Sequence, residues 1–140
     1  MHTLSPTSFS RRLLAATAML LIGTASALSY AASPAELLSG YTAQAGAPAS
    51  TARGQQFFTT THGKEWSCSS CHGAVPTQTG KHAATGKAIG AMAPAFNAER
   101  FTDPAKVEKW FRRNCNDVAG RECTPAEKAD ILSWLLSLKA

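Results

Sequence analysis

The chain has 140 residues, of which 44% are hydrophobic, 16% are charged and 8% are aromatic, and its formal net charge is +5 at pH 7. This length predicts one small domain. The basic residues form no run interleaved with aromatic side chains, so the sequence argues against nucleic acid as a partner.

The N-terminal region has the pattern of a secretory signal peptide. A basic stretch precedes the apolar run LLAATAMLLIG, and small residues follow with A-x-A-like cleavage sites at Ala27 or Ala31. The apolar run is short for a membrane span, and an uncleaved anchor is the alternative. We therefore predict export to the periplasm, with residues 1–31 as signal peptide. Residues 32–140 then form one domain that has no stable membrane insertion after cleavage.

The remaining sequence predicts an all-α domain. In chain order, we expect helices over residues 34–45, 52–63, 104–114 and 125–139. The first helix is expected to stop at Gly46, since glycine tolerates the left-handed conformation at a helix end. Apolar residues recur at helical spacing in the last helix, which predicts one buried face.

Three helix starts share one capping pattern. Ser33, Asp103 and Thr124 are N-cap residues, and each is followed by a proline. A glutamate three residues after Ser33 and after Thr124 predicts a capping box at the first and last helices.

The segment between Gly73 and Arg100 is rich in Gly, Ala, Thr and Pro and shows no strand pattern. A structureless loop of this length is unusual inside a compact domain. We interpret it as a loop that wraps around a large rigid ligand.

Cys68, Cys71 and His72 form the CxxCH pattern of c-type haem attachment. Thiols three residues apart lie on one face of a helical turn, where they can add to the two vinyl groups of a haem. The adjacent histidine is placed to bind the iron as proximal ligand. We therefore predict one covalently attached haem c.

Several cations are candidates for binding its propionate groups: Lys81, Lys87, Arg100, Arg112 and Arg113.

Two other sites use a C-x-x-C pair. A thioredoxin-like redox pair expects a preceding strand and a βαβ pattern, and neither is present. A zinc site expects a second C-x-x-C, whereas Cys115 and Cys123 are more widely spaced and have no histidine between them. The export signal, the helical lead-in and the histidine directly after the motif favour haem.

The order of the elements also favours haem. A helix, the CxxCH motif, a loop, a helix, a second loop and a final helix follow one another as in class I cytochromes c. Gly54 predicts a close approach of the last helix at Trp134 or Leu135. We predict an all-α, class I cytochrome c-like domain wrapped around one covalent haem.

The sixth iron ligand is not determined by the residues alone. Met92 is the only methionine after the signal peptide, but it precedes the helix at residues 104–114 rather than following it. The stretch after that helix, NCNDVAGREC, offers Asn114 and Asn116 instead. Three other interpretations remain open for these side chains. Asn114 is a helix C-cap, Met92 is a packing residue that does not bind iron, or His82 is an iron ligand at high pH.

Part of the sequence resembles a known family of oxygen-binding cytochromes c, the sphaeroides haem protein family. The stretches that carry the resemblance, besides CxxCH, are TGKAIGAMAP, RFTDPAKVEKWFRRNCN and GRECTPAEKADILSWL. The resemblance extends from about Ser33 to Leu138. It implies a class I cytochrome c fold, with an asparagine ligand directly before a disulfide-bonded cysteine. Carried over to this chain, the metal ligands are His72 and Asn114, and the disulfide joins Cys115 to Cys123.

An amide ligand implies a particular function. An amide oxygen is a hard, neutral and weak donor, so its bond to iron is expected to weaken on reduction and to open a site for O2, NO or CO. We predict electron transfer with reversible gas binding.

The resemblance implies a dihaem cytochrome c and a membrane cytochrome b as electron donors. The alternatives are a simple electron carrier with Met92 as permanent ligand, and a haem enzyme that turns over NO or O2. Few acid–base constellations lie outside the haem motif, which argues against enzymatic turnover by protein groups.

Overall fold

A computed structural model describes residues 32–140, so the predicted signal peptide lies outside the described residues. The described part contains five helices and one short hairpin, which confirms the all-α fold class. The elements in chain order are α1 (Pro34–Ala45), α2 (Thr51–Thr59), α3 (Ser69–His72), β1 (Gly80–Lys81), β2 (Ala88–Ile89), α4 (Pro104–Ala119) and α5 (Pro125–Ser137).

The helix starts follow the predicted capping pattern. The side chains of Ser33, Asp103 and Thr124 each accept a hydrogen bond from a backbone N–H in the first turn of the following helix. At α1 and α5 the glutamate three residues later completes the capping box. Ser50 caps α2 in the same way. Each cap satisfies backbone donors that would otherwise have no partner.

α4 is longer than predicted. It continues through Asn114 and Cys115 to Ala119, and it ends at Gly120, whose φ of 69° lies in the left-handed region. The prediction that a loop begins at Asn114, and the alternative that Asn114 is the helix C-cap, are both wrong. Asn and Asp have low helix propensity, but burial of Cys115 and Val118 on the inner face of α4 outweighs it.

Two further elements differ from expectation. α2 ends at Thr59 rather than at residue 63, because Thr60 is already extended. The middle segment, expected to have no strands, contains the antiparallel pair β1 and β2, in which Gly80 is opposite Ile89 and Lys81 is opposite Ala88. These strands have two residues each, too few to produce an alternating sequence pattern.

α5 lies at the centre of the fold and packs against α1 and α2. Gly54 of α2 makes the second packing possible, because a Cβ at this position would collide with the backbone carbonyl of Asp130 in α5. The close approach predicted at Trp134 or Leu135 is therefore real but lies about one turn earlier. The buried residues around α5 are Tyr41, Phe58, Phe101, Val107, Phe111, Cys115, Cys123, Ala129, Ile131, Leu132, Trp134 and Leu135.

Asp130 ties the start of α2 to α5. Its buried carboxylate accepts hydrogen bonds from the backbone N–H of Ser50 and from Nε of Arg53, each at 2.6 Å. A buried carboxylate is tolerated only when it is paired in this way. Within residues 32–140, none of the helices combines the length and apolar character needed to cross a membrane.

Gly54→Ala is expected to destabilise the haem-loaded protein by about 1–3 kcal/mol, because the added methyl group forces α2 away from α5. Gly40→Ala is the matched control, since a Cβ at Gly40 in α1 meets no other atom within 4 Å. This control should be neutral or more stable by up to about 1 kcal/mol. Guanidinium unfolding of the two variants measures both effects. Equal stability of the two variants would contradict the close approach.

Candidate haem site

The CxxCH motif forms a closed helical turn. α3 begins after Cys68, and the backbone N–H groups of Cys71 and His72 donate to the carbonyl of Cys68 at 3.3 and 3.1 Å. Within the described residues, Cys68 and Cys71 form no disulfide, and both are half-buried. The turn therefore presents two thiols and one imidazole, held in fixed relation by backbone hydrogen bonds.

This turn lines a cavity of about 760 Å³, which lies in the size range of ligand and cofactor sites. The long helix α4 supplies residues at helical spacing along another part of the lining. The lining includes Phe58, Trp66, Cys68, Cys71, His72, Met92, Phe101, Val107, Trp110, Phe111, Asn114, Val118 and Ile131. The aromatic and aliphatic members of the lining suit a large apolar ring such as a porphyrin, and the lining also contains many polar and charged residues.

Burial sets the ionisation of the two half-buried groups in the motif. Burial, with smaller contributions from Arg100 and His82, lowers the pKa of His72 to about 4. The imidazole is therefore neutral at pH 7 and keeps a lone pair for a metal. Burial raises the pKa of the Cys68 thiol to about 12. Redox-active cysteines have lowered pKa values, so Cys68 does not have the character of a thioredoxin-like nucleophile.

The β1–β2 hairpin packs against the second cysteine. A Cβ at Gly80 would collide with the backbone carbonyl of Cys71, so this contact requires glycine. The backbone N–H of Ala83 donates to Sγ of Cys71 at 3.2 Å. The middle segment of the chain therefore comes directly to the motif, and several of its residues line the cavity.

Asn114 and Met92 both line the cavity, whereas Asn116 is exposed on another side of α4. Within residues 32–140 the side-chain amide of Asn114 makes no hydrogen bond. The other cavity asparagine, Asn97, differs, because its amide nitrogen donates to the carbonyl of Ala91 at 3.1 Å. Asn114 thus has a side-chain amide free for a partner inside the cavity.

The two remaining histidines after residue 31 are occupied differently. His82 lines the cavity, and its Nδ1 accepts hydrogen bonds from the backbone N–H groups of Ala84 and Thr85 at 3.3 Å each. The neutral ring then carries its proton on Nε2, so ligation of iron would require these bonds to break. His62 stacks on Phe57 at 4.0 Å between ring centroids, and it lies outside the cavity lining.

The cations at the cavity are only partly those expected for propionates. Lys87, Arg100 and Arg113 line it, whereas Lys81 and Arg112 do not. Arg100 is held in place by its Nε and Nη2, which donate to the carbonyls of Ala91 and Gly90 at 2.9 and 2.7 Å.

Sequence reasoning did not assign Lys106 and Trp110 of α4 to the cavity. Both residues line the cavity. Trp110 is 42% exposed, and the guanidinium of Arg113 lies over its ring at 5.6 Å from the centroid. Lys106, Trp110 and Asn114 recur every four residues, which is the spacing of one helix face. All three residues lie within the helix predicted over residues 104–114, so their common face could have been identified from the sequence.

Cys115 and Cys123 are joined in a disulfide, with their Cα atoms 5.6 Å apart. Both residues are buried. The bond links α4 to the segment that leads into α5. Because these sulfurs bind each other, they are not available as ligands for the alternative zinc site.

Two thiols placed to bind one porphyrin and a neutral histidine beside them define the class of protein. It is a monohaem c-type cytochrome with a helical, class I-like domain, and the haem c is covalently attached.

Comparisons with known proteins identify the family within this class. Residues 44–135 match a family described as a domain of unknown function, DUF1924. The cytochrome c-type protein SHP of Cereibacter sphaeroides is 55% identical over 107 residues, which cover 74% of this chain and 82% of SHP. Cytochrome c'' of Methylophilus methylotrophus is 48% identical over 80 residues, which cover 57% of this chain and 56% of cytochrome c''. The chain belongs to the SHP family of c-type cytochromes, and the predicted resemblance and haem cofactor are confirmed.

Solved structures agree with this assignment. The structure of oxidised SHP, described as an oxygen-binding cytochrome c, has a TM-score of 0.73 at 52% identity and covers 77% of this chain and 99% of SHP. The crystal structure of oxidised M. methylotrophus cytochrome c'' has a TM-score of 0.69 at 38% identity, covering 76% and 95% of the two chains. The solution structure of that cytochrome, which addresses haem-ligand detachment, gives 0.66 at 36% identity and covers 76% and 94%.

The double variant Cys68→Ala/Cys71→Ala is expected to lose covalent haem, because no thiol remains at the cavity for the vinyl groups. Intact mass under denaturing conditions should show the added mass of one haem in the unmodified protein and none in the variant. Ser69→Ala, which changes a residue between the two cysteines, is the control and should keep its haem. Covalent haem in the double variant would contradict the assignment of the two thiols.

Proposed function

We propose that this protein is a periplasmic cytochrome that transfers electrons and reversibly binds a diatomic gas, with Asn114 as an axial ligand released on reduction. The unpartnered amide of Asn114, in the same cavity as His72, is the observation that carries the proposal. When bound, the haem supplies an iron that exchanges one electron and can take O2, NO or CO at an axial position.

The chemistry of the amide supports ligand release. A neutral carboxamide oxygen is a hard donor that prefers ferric over ferrous iron, so its hold weakens on reduction. The released amide has two N–H donors that can hydrogen-bond a small molecule in the cavity. The thioether of Met92 is a soft donor and would hold both oxidation states, which would favour a simple electron carrier.

The position of Asn114 inside α4 restricts how the release can occur. Its backbone belongs to a helix that continues to Ala119, so the main chain is fixed by helical hydrogen bonds on both sides. The amide can then move by rotation about its side-chain bonds or by a shift of the whole helix.

Two relatives point in the same direction. SHP is described as an oxygen-binding cytochrome c, and the solution structure of cytochrome c'' concerns haem-ligand detachment. The proposed periplasmic location rests on the signal-peptide pattern of residues 1–31. A dihaem cytochrome c and a membrane cytochrome b are proposed as electron donors from the family resemblance alone. We propose gas binding rather than enzymatic turnover.

Asn114→Ala is expected to remove a competing ligand from ferric iron. Azide should therefore bind the ferric variant at least about tenfold more tightly than it binds the unmodified ferric protein. This is a difference of about 1.4 kcal/mol in binding free energy. The ferric optical spectrum should also change. The ferrous form of the unmodified protein should bind CO, which an optical titration measures directly.

Two variants control for nearby changes. Asn116→Ala alters the same residue type on the exposed side of α4, and it should leave azide affinity unchanged. Met92→Leu should also leave the ferric spectrum unchanged. A thioether charge-transfer band that disappears in Met92→Leu, together with a ferrous protein that does not bind CO, would instead establish the simple electron carrier.

A further inference from the structure

We infer that the ion pair between Glu108 of α4 and Lys128 of α5 positions Asn114 in the cavity. Nζ of Lys128 donates to Oε2 of Glu108 at 2.7 Å, and the hydroxyl of Tyr41 in α1 donates to Oε1 at 2.6 Å. One carboxylate thus joins three helices. This inference rests on the proposed role of Asn114 as an iron ligand.

The surroundings of Lys128 make this pair stronger than an ordinary surface ion pair. The Lys128 side chain is only 12% exposed, and its ammonium lies 5.5 Å from the centroid of the Tyr41 ring and 5.8 Å from that of Phe111. The two rings meet edge to face at 5.8 Å. A partly desolvated ammonium gains more from aromatic faces than an exposed one. Loss of one charge would leave its partner without compensation.

Glu108 remains ionised in this arrangement. Burial opposes its charged form, but hydrogen bonds from Lys128 and Tyr41 outweigh burial, and the pKa of the carboxyl is lowered. The Glu108 side chain is 46% exposed, so one side of the pair faces water. Substitution at this end is therefore less disruptive than substitution at Lys128.

α4 depends on such side-chain contacts for its position. The closest helix pairs of the described fold are α1 with α5 and α2 with α5, and no pair that includes α4 is among them. Besides the packing of its buried residues, two restraints act on α4. The contacts of Glu108 with Lys128 and Tyr41 lie before Asn114 along α4, and the disulfide of Cys115 lies directly after Asn114.

A rigid helix transmits a change at one end to the residues that follow. The ring of Phe111 lies 5.8 Å from the Lys128 ammonium, and Phe111 also lines the cavity three residues before Asn114. If Glu108 separates from Lys128, α4 can turn or shift, and the amide of Asn114 moves with it. A weak donor such as an amide cannot hold the helix by its own bond, so its distance to iron is set by these restraints.

Lys128→Met removes the ammonium and keeps an unbranched apolar side chain of similar length. We expect azide to bind the ferric form at least about threefold more tightly, because Asn114 competes less well. Glu108→Gln, at the more exposed end of the pair, should shift affinity in the same direction. Lys128→Arg, which keeps the positive charge, should restore affinity toward the original value.

A control separates positioning from loss of stability. Arg53→Gln breaks the ion pair with Asp130, which is 2.6 Å long and joins α2 to α5 without involving α4. This variant should lose stability but keep the original azide affinity. In the Asn114→Ala background, Lys128→Met should have no further effect on azide, since the competing ligand is already gone.

The outcomes distinguish this inference from the proposed function. Unchanged azide affinity in Lys128→Met and Glu108→Gln, with a clear change in Asn114→Ala, would overturn the inference alone. An equal change of azide affinity in Arg53→Gln would also overturn the inference. So would an effect of Lys128→Met on azide affinity that persists in the Asn114→Ala background. No change in Asn114→Ala would overturn the proposed function, and the inference with it.

Discussion

Two thiols held on one helical turn beside a large cavity are the constraint on which the rest of this structure depends. The buried residues cluster around α5, whereas the cavity lies against α3 and one face of α4. A domain of this size buries limited apolar surface, and a cavity of about 760 Å³ is large for it. The haem bound through Cys68 and Cys71 therefore contributes to the core as well as to function.

His72 is connected to the core through aromatic contacts. Phe58 of α2 is fully buried, and its ring lies 5.0 Å from that of Trp134 and 6.1 Å from that of His72. Gly54 and Asp130 fix α2 against α5 one turn earlier. The imidazole is thus positioned by the best-packed pair of helices, and by the covalent bonds of the adjacent cysteines.

Much of this arrangement was predictable because its causes are local in sequence. Caps at Ser33 and Thr124 act on backbone groups a few residues away, and the CxxCH motif fits within one turn. The course of α4 beyond Asn114 was not predictable in this way. Its Asn and Asp residues favour a helix end, and burial of Val118 in the tertiary structure overrides that preference.

The contacts that position α4 were beyond sequence reasoning for a related reason. Glu108 and Lys128 are twenty residues apart on different helices, and neither the spacing nor the residue types single them out among the other charges. Lys106 and Trp110, by contrast, share a face with Asn114 inside the range predicted for this helix, so their place at the cavity could have been inferred from the sequence.

Under the proposed function, the two candidate iron ligands are held by different kinds of restraint. His72 is the next residue after Cys71 and packs on Phe58, so its position is restrained both by the CxxCH turn and by the core. Asn114 is carried by a helix fixed through an ion pair, aromatic contacts and a disulfide. A weak amide donor on such a helix can lose its bond without breaking any backbone hydrogen bond. Under the proposed function, this asymmetry accounts for reversible opening at Asn114 and a stable ligand at His72.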